Sequence, residues 1–389
     1  MLKQRLLFNE IKPYFHSPEA IVITGMRRTG KTTILSQIYS EIDSKNKLFL
    51  DLENPLNRKY FEDGNYERIK SSLEFLGLDF TAKVFIFLDE IQFLRNLPSV
   101  VKYLVDHYNA KFFLTGSASF YLKNLFAESL AGRKYIFELF PLSFNEFLRF
   151  KDASFAMPSR AHEITRHLFD SISPLYDEYV MFGGFPGVVL KTSVEEKKKV
   201  LDDIFSSFFQ MEVIGFGDFR RNEAVRDLML LLLERIGSKL DVQKLSKEIG
   251  VSRPTINAYL SLLEDTYFIK TIRPFGRGVD TEIRKMPKVY ACDCGLANHH
   301  AKLDMGALFE NSVFQNLRLK GKLNYYQKKN GVEIDFILDK KIAFEVKTSA
   351  RDSDIKKLQK TSEALSLEEN SVVSRNFSEL KNIKYAFML

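Results

Sequence analysis

The chain has 389 residues, of which 45% are hydrophobic and 28% charged, and its net charge is +7. The length predicts two or three domains, and the composition is that of an ordinary globular protein. No stretch reaches the roughly 18 uninterrupted apolar residues of a transmembrane helix, and the modest positive charge permits a nucleic-acid partner without requiring one.

The termini and cysteines indicate the compartment. Residues 1–10 lack the apolar core and small-residue cleavage site of a signal peptide. Only two cysteines are present, Cys292 and Cys294. Their spacing is poor for a disulfide, and they are too few for a thiolate zinc site. We therefore expect a cytoplasmic, reduced protein with no membrane partner.

The first chemical motif is GMRRTGKT at residues 25–32, which follows an apolar stretch at 20–23 and precedes a helix-compatible stretch at 33–38. A phosphate-binding P-loop requires this strand–loop–helix setting. Lys31 would reach the β- and γ-phosphates, and the Thr32 hydroxyl would bind Mg²⁺. The nucleotide-binding residues predicted here are Gly25, Met26, Arg27, Arg28, Thr29, Gly30, Lys31, Thr32 and Thr33.

A second motif, KVFIFLDE, occupies residues 83–90. An apolar strand that ends in two carboxylates places both at the carboxyl edge of a sheet. Asp89 would hold the Mg²⁺ shell, and Glu90 would polarise the attacking water. The two motifs together predict that the chain binds and hydrolyses a nucleoside triphosphate, ATP with Mg²⁺.

The first third of the chain predicts an α/β fold with a parallel sheet. Strands are expected at 21–24, 47–52, 84–88 and 111–115, with helices between them. The segment LTGSAS at 114–119 places hydroxyls after the last of these strands. Thr115 or Ser117 would sense the γ-phosphate from a neighbouring strand end, or these hydroxyls would cap the following helix.

Two features follow this sheet. Arg133 is a candidate arginine finger, in cis or across a subunit interface, and a surface arginine is the alternative. Ser143 and Glu146 form a capping-box pattern that opens a helix.

Residues 151–230 are predicted to be helical and are interrupted by MFGGFPG at 181–187. Three glycines and a proline make a rigid turn that permits close approach. Gly184 and Pro186 would press against an adenine ring, or the turn would join two helices.

A helix-turn-helix is predicted from about residue 231. Two helices surround a turn at Gly250, with Ser252 as the cap of the second helix. A wing would begin at 267–272. DNA contact and protein contact remain equal alternatives for this unit. Four residues would face the major groove: Arg253, Thr255, Asn257 and Tyr259.

The last segment carries a second chemical signature. Residues 331–339 and 342–347 are predicted strands of a hairpin that brings Asp335 close to Glu345 and Lys347. Two carboxylates and a lysine can bind a divalent metal and activate water for phosphodiester attack. Glu310 would supply a further ligand, and a polar hairpin with ordinary charge pairing is the alternative.

These motifs resemble a family of prokaryotic ATPases in which an AAA-type P-loop domain precedes a winged helix and a nuclease-like domain. The resemblance rests on GMRRTGKT, LDEIQ (88–92), LTGS (114–117), AGR (131–133), PLSFNEF (141–147) and GGFP (183–186). FEN (309–311), EIDF (333–336) and EVK (345–347) resemble its PD-(D/E)XK-type tail. The resemblance implies ATP hydrolysis at Lys31, Thr32, Asp89 and Glu90, and an adenine-side role for the turn at 183–186.

The predicted architecture is therefore a P-loop NTPase with an AAA/STAND-like parallel sheet, followed by a helical lid, a winged helix and a small α/β nuclease-like domain. The expected bounds are 1–160, 161–230, 231–275 and 276–389. We expect a nucleotide-controlled switch that acts on DNA. The alternatives are an ATP-gated, metal-dependent nuclease and a signalling or scaffold ATPase that binds protein. A homo-oligomer is expected if Arg133 acts in trans.

Overall fold

A computed structural model of the chain describes residues 3–117, 130, 132–158, 160–215, 217, 221–276, 286–328 and 331–389. Ser119 and Ala131, which belong to two of the motifs quoted above, lie outside the described residues. The chain divides into two units, Met1–Phe140 with Asp265–Tyr267, and Pro141–Glu264 with Phe268–Leu389. The first unit thus ends before the expected bound at residue 160, and the finer bounds within the second unit remain predictions.

The first unit is an α/β fold. Its strands are β1 (Ala20–Thr24), β2 (Lys47–Asp51), β3 (Val84–Asp89), β4 (Ala110–Gly116) and β5 (Lys134–Glu138). Its helices are α1 (Leu6–Ile11), α2 (Lys31–Glu41), α3 (Pro55–Arg58), α4 (Tyr66–Phe75) and α5 (Leu97–His107). The four predicted strands are β1 to β4, and each end agrees within one residue. The fifth strand, β5, was not predicted.

The sheet of this unit is parallel throughout, in the order β2-β3-β4-β1-β5. Alternate residues of β1 enter two separate apolar cores. Ile21 and Ile23 pack with residues of α1 and α2, whereas Ala20 and Val22 pack with residues of α4 and α5. Helices therefore cover both faces of the sheet, as continuous apolar strands require. This arrangement confirms the predicted α/β fold with a parallel sheet.

The second unit begins with helices. They are α6 (Phe144–Phe150), α7 (Arg166–Phe182), α8 (Pro186–Val189), α9 (Val194–Phe208), α10 (Asn222–Glu234), α11 (Val242–Ile249) and α12 (Arg253–Asp265). Ser143 caps α6: its side chain accepts from the Glu146 amide, and the Glu146 carboxylate accepts from the Ser143 amide. The predicted capping box is confirmed. A π-helical turn, Phe209–Ile214, follows α9.

The remainder of the second unit surrounds a mixed sheet in the order β12-β11-β10-β9-β8-β6-β7. Its strands are β6 (Ile269–Pro274), β7 (Lys288–Ala291), β8 (Leu323–Gln327), β9 (Glu333–Leu338), β10 (Ile342–Lys347), β11 (Glu369–Ser374) and β12 (Ile383–Tyr385). Its helices are α13 (Cys294–His300), α14 (Met305–Leu317) and α15 (Asp352–Leu365). The predicted hairpin is the antiparallel pair β9–β10, with Phe336 opposite Phe344.

Cys292 and Cys294 are buried free thiols, so the expected absence of a disulfide between them is observed. Within the described ranges, no helix has both the length and the apolar character that a bilayer span requires.

Candidate nucleotide site

The loop between β1 and α2 has the backbone of a phosphate cradle. A Cβ at Gly25 would overlap the carbonyl oxygen of Leu139, so this position requires glycine. Gly30 has φ of +99° at the N-cap of α2, a left-handed conformation that glycine adopts without strain. The amides that open α2 have no partners within the helix and face the end of the loop. A helix N-terminus of this kind binds phosphate groups.

Lys31 spans this loop. Its Nζ donates to the carbonyl oxygens of Gly25 and Met26, each at 3.0 Å, and the residue is only 4% exposed. The buried Thr29 side chain also donates to the Met26 carbonyl oxygen, at 2.8 Å. Bound phosphates would accept hydrogen bonds from the Lys31 ammonium in place of the two carbonyl groups.

Arg5 holds the loop from outside the motif. Its Nη1 donates to the Thr29 carbonyl oxygen at 2.7 Å, and its Nη2 donates to the Phe140 carbonyl oxygen at 2.8 Å. The guanidinium is planar and fixed, so two such bonds set the position of the loop backbone. Sequence reasoning missed Arg5, because a single arginine ahead of a short helix carries no recognisable pattern.

The remaining predicted loop residues differ in exposure. Met26 is buried, Arg27 is half-buried and Arg28 is exposed, with φ of +69°. Thr33 is half-buried in the first turn of α2. All of these residues therefore lie in or next to the loop, as predicted.

Asp89 is the centre of a hydrogen-bond network at the carboxyl edge of the sheet. The Thr32 hydroxyl donates to its Oδ2 at 2.6 Å, and the Thr115 hydroxyl donates to its Oδ1. These contacts are possible because β4 lies between β3 and β1 in the sheet. Asp89 is only 3% exposed. Thr115 thus lies at the strand end beside Asp89, and its role as a γ-phosphate sensor remains a prediction.

Glu90 follows Asp89 in a left-handed conformation, with φ of +53° and ψ of +50°. This conformation is uncommon for a residue with a Cβ and often marks a functional position. Gln92 donates through its Nε2 both to the Glu90 carboxylate and to the Ser117 hydroxyl, the latter at 3.1 Å. Sequence reasoning missed Gln92, although it belongs to the quoted LDEIQ segment.

The oxygen ligands at this edge of the sheet are suited to bind Mg²⁺. A hydroxyl and a carboxylate, Thr32 and Asp89, already lie within one hydrogen bond of each other. Mg²⁺ takes oxygen ligands and keeps several waters when it binds with nucleotide phosphates. These two side chains would hold the ion or its water shell beside the phosphate loop.

The structure corrects the assignment of Arg133 as an arginine finger in cis. Arg133 precedes β5, and its carbonyl oxygen accepts from the amide of Ala20, the first residue of β1. Since β1 and β5 are parallel, Arg133 lies at the amino edge of the sheet. The P-loop is at the opposite edge, a strand of five residues away, which is about 16 Å. The Arg133 guanidinium instead pairs with Asp106, with Nε and Oδ1 2.6 Å apart.

Gly184 and Pro186 belong to the second unit. The Gly184 amide donates to the Asp293 carboxylate at 2.7 Å, and a Cβ at Gly183 would overlap that carboxylate. Asp293 is buried, which raises its pKa to about 6 against the opposing effect of its backbone hydrogen bonds. The turn joins α7 to α8, so this part of the prediction is observed. The adenine contact remains a prediction.

The predicted helix-turn-helix elements are present as α11 and α12. Gly250 ends α11 with φ of +72°, and the Ser252 hydroxyl accepts from the Thr255 amide at 3.3 Å. Arg253 and Asn257 are exposed and Thr255 is half-buried. Tyr259, however, is 2% exposed. It shares the buried side of α12 with Ile256 and Leu263, so its assignment to the groove-facing side was wrong.

The four predicted tail residues belong to one cluster, in which Asp335 and Glu345 are buried and Glu310 and Lys347 are half-buried. Lys347 donates to Glu345 Oε1 at 2.7 Å, and the Val346 amide donates to Asp335 Oδ2 at 2.8 Å. Burial and the nearby Asp335 carboxylate raise the pKa of Glu310 to about 7, and the same two causes raise that of Glu345 to about 7. Burial also raises the pKa of Asp335.

Three further residues of this cluster were missed: Glu333, Lys288 and Tyr290. The Tyr290 hydroxyl donates to Glu310 Oε1 at 2.6 Å, and Lys288 Nζ lies 2.6 Å from Glu333 Oε1. Lys288 and Tyr290 come from β7, which is distant in sequence from the predicted motif. No local pattern could therefore indicate them.

The described residues place a different group at metal-ligand spacing. Asp202, His299 and His300 have ligand atoms that all lie within 4.8 Å of one another, and in the described part of the chain they are the one such group. Glu310, Asp335 and Glu345 do not meet this spacing. The predicted tail ligands are therefore gathered in one cluster without the closeness of a formed metal site.

Comparison with known proteins shows what the region around the P-loop is similar to. A family model described as an AAA domain matches residues 17–148. The match covers both nucleotide motifs, at residues 25–32 and 83–90. Two models described as domains of unknown function match residues 173–306 and 305–385.

Relatives of similar length are found in archaea and bacteria. An uncharacterized protein of Methanocaldococcus jannaschii is 28% identical over 364 residues, which cover 89% of this chain and 79% of that protein. An uncharacterized protein of Haemophilus influenzae is 28% identical over 360 residues, which cover 86% and 84% of the two chains.

Two solved structures are also similar. The Walker-type ATPase PABY2304 of Pyrococcus abyssi is 14% identical, with a TM-score of 0.45 over 77% of this chain and 96% of that one. The Aeropyrum pernix Orc1 protein in complex with DNA is 14% identical, with a TM-score of 0.34 over 76% and 90%. At these scores, neither structure identifies what this chain binds.

Proposed function

We propose that the chain binds ATP with Mg²⁺, hydrolyses it and acts as a nucleotide-controlled switch. The observation that carries this proposal is the 2.6 Å hydrogen bond between the Thr32 hydroxyl and Asp89, beside the phosphate loop. A P-loop threonine and a strand-end aspartate at this distance are what Mg²⁺-dependent binding of β- and γ-phosphates requires.

Each residue has a separate role in the proposed reaction. The loop amides and Lys31 bind the β- and γ-phosphates and offset their charge. Thr32 and Asp89 would hold Mg²⁺, and the chemistry that the ion would supply is stabilisation of the charge on the phosphate oxygens. Glu90 orients the attacking water and accepts its proton. Ser117 senses the γ-phosphate from its strand end.

Two substitutions separate binding from turnover. Lys31→Ala should abolish binding of a fluorescent ATP analogue, whereas Glu90→Gln should bind the analogue normally and lose most turnover. Lys12→Ala is the matched control for the lysine, because Lys12 pairs with Glu41 on the surface. If Glu90→Gln hydrolyses ATP at the wild-type rate, the assignment of Glu90 is wrong.

For the output of the switch, we propose DNA as the partner. The exposed side of α12 presents Arg253 and Asn257, and the whole chain carries a net charge of +7. A capped helix that follows a tight turn and exposes an arginine and an amide near its start is suited to the major groove.

DNA binding can be tested by its dependence on salt. The full chain should retain labelled duplex at low salt, and the affinity should fall as salt rises. Arg253→Ala with Asn257→Ala should weaken binding about tenfold or more, in keeping with loss of two base-edge contacts. The control is Arg166→Ala with Gln359→Ala, two side chains that pair with Asp170 and Glu363 elsewhere in the second unit. No retention at low salt would instead favour a protein partner.

A further part of the proposal is that Arg133 from a second copy of the chain acts as an arginine finger. Arg133 is remote from its own P-loop, so a role at the γ-phosphate requires a homo-oligomer. Analytical ultracentrifugation of Glu90→Gln with ATP should then show assembly. Arg133→Ala should keep assembly and lower turnover of the otherwise unchanged chain. A strictly monomeric protein with full turnover would exclude this role for Arg133.

A further inference from the structure

The carboxylates of the tail already enclose a positive charge. Lys288 Nζ lies 2.6 Å from Glu333 Oε1, 3.5 Å from Glu310 Oε1 and 3.9 Å from Asp335 Oδ1. Lys288 itself is 5% exposed. The three acidic residues come from α14 and β9, and the lysine reaches them from β7, which lies at the far edge of the sheet order.

We propose that the Lys288 ammonium is the resident cation of this cluster and occupies the position that a divalent metal would take in an active nuclease. The tail would then be a nuclease-like domain that holds no catalytic metal while β7 is in place. This inference does not depend on ATP hydrolysis by the first unit.

Electrostatics support this assignment. Buried carboxylates are stable only when they are protonated, hydrogen-bonded or paired with a cation. Burial alone would lower the pKa of Lys288, but Glu310, Asp335 and Glu333 together raise it above the ordinary value for lysine. Lys288 therefore stays charged at neutral pH and is the counter-ion of the three carboxylates.

Three oxygen atoms of Asp335 and Glu310 that a metal would need are also already engaged. Asp335 Oδ2 accepts from the Val346 amide, and Asp335 Oδ1 faces Lys288. Glu310 Oε1 accepts from the Tyr290 hydroxyl and lies near Lys288. A divalent ion needs several oxygens at about 2.0–2.6 Å, which an ammonium in the same space prevents by both volume and charge.

The position of Lys288 is set by strand β7, which pairs with β6. Lys288 pairs with Ile272 in the β6–β7 ladder, and Tyr290 lies two residues later on the same face of β7. The strand thus brings an ammonium and a hydroxyl to Glu310 together. Withdrawal of the lysine would remove the cation that lies within 4 Å of Glu310, Glu333 and Asp335.

The test measures Mn²⁺ binding, by electron paramagnetic resonance of free Mn²⁺, and thermal unfolding of the full nucleotide-free chain. All variants carry Asp89→Asn, so that the site beside the P-loop lacks its carboxylate ligand. Lys288→Met should bind Mn²⁺ at least about tenfold more tightly than the Asp89→Asn parent. It should also melt at a lower temperature without metal and be restored by Mn²⁺. Lys341→Met is the matched control, because Lys341 is exposed and pairs with Glu368.

Addition of Asp335→Asn to Lys288→Met should remove the gained Mn²⁺ binding. The proposal is overturned if folded Lys288→Met gains no Mn²⁺ affinity. It is also overturned if the parent binds Mn²⁺ and Asp335→Asn abolishes that binding. Should Lys288→Met fail to fold, the parent and its Asp335→Asn variant decide: equal Mn²⁺ binding supports the resident lysine, and weaker binding by Asp335→Asn refutes it.

Discussion

The Thr32 hydroxyl donates a 2.6 Å hydrogen bond to Oδ2 of Asp89, across 57 residues of sequence. Thr115 donates to the other oxygen of the same carboxylate. Both Asp89 oxygens are therefore oriented before any ligand binds. A metal site with oriented ligands loses little conformational entropy when the ion arrives.

Thr32→Val should weaken Mg²⁺ binding during ATP turnover more than it weakens nucleotide binding. The substitution keeps the shape of the side chain and removes the hydroxyl ligand. We expect the Mg²⁺ concentration for half-maximal ATP turnover to rise about tenfold, a typical effect of losing one ligand or its support. Ser36→Ala, one helical turn later, is the control, since the exposed Ser36 hydroxyl donates to the Thr32 carbonyl oxygen. An unchanged Mg²⁺ dependence would contradict the assignment.

Gln92→Leu should raise basal ATP turnover about two- to tenfold, with ATP affinity unchanged. The Gln92 amide donates to the Glu90 carboxylate and thereby restrains its position. Leucine fills a similar volume and leaves Glu90 able to turn toward water, where general base catalysis typically contributes 10²–10⁴-fold. Steady-state turnover and analogue titration measure the two quantities. Turnover equal to or below that of the wild type would show that Gln92 supports Glu90 rather than restraining it.

Gly183→Ala should destabilise the second unit by about 2–4 kcal/mol, because it adds both strain and overlap. Gly183 has φ of +77°, and a Cβ there would overlap the Asp293 carboxylate. The matched control is Gly187→Ala. A Cβ at Gly187 would lie 3.5 Å from Val200 Cγ1, which is ordinary contact, in the short helix α8. Chemical unfolding should show a large loss for the first variant and little for the second; equal losses would refute the argument.

Lys111 should make stability rise with pH in the alkaline range. Burial lowers the pKa of Lys111 from 10.5 to about 7, with Glu19 opposing this effect. Between pH 7 and 10.5 the unfolded chain then binds more protons at this residue than the folded chain, so this contribution to the free energy of unfolding increases with pH. Lys111→Met removes it.

The pH effect is measured as a difference between variants. The unfolding free energy of the wild type relative to Lys111→Met should increase by about 1 kcal/mol per pH unit between pH 7 and 9. Lys12→Met is the control, because Lys12 pairs with Glu41 on the surface of the same unit. A difference that stays constant with pH would exclude a lowered pKa for Lys111.

Local patterns in the sequence predicted the features that depend on neighbouring residues. The P-loop, the strand before Asp89, the Ser143–Glu146 capping box and the turn at Gly250 each lie within a short window, in which spacing alone defines backbone geometry. The position of Thr115 beside Asp89 was also predictable, because parallel strands end at one edge of a sheet.

Features that depend on long-range packing could not be predicted. The cis alternative for Arg133 failed because β5 was not recognised, and the pairing of β5 with β1 fixes the edge at which the arginine lies. Tyr259 was misassigned because helical spacing leaves two neighbouring positions, 259 and 260, as alternatives for the apolar side. Lys288 reaches Glu333 over 45 residues, a pairing set by the order of strands in the sheet.

The hydrogen bond from Arg5 to the phosphate loop affects which fragment of the chain can represent this domain in isolation. The matching family model begins at residue 17, twelve positions after Arg5. A fragment cut at the family boundary would contain Lys31, Thr32, Asp89 and Glu90, yet it would lack the guanidinium that fixes the Thr29 carbonyl group. Weak nucleotide binding by such a fragment would then reflect where the chain was cut rather than the chemistry of the intact protein.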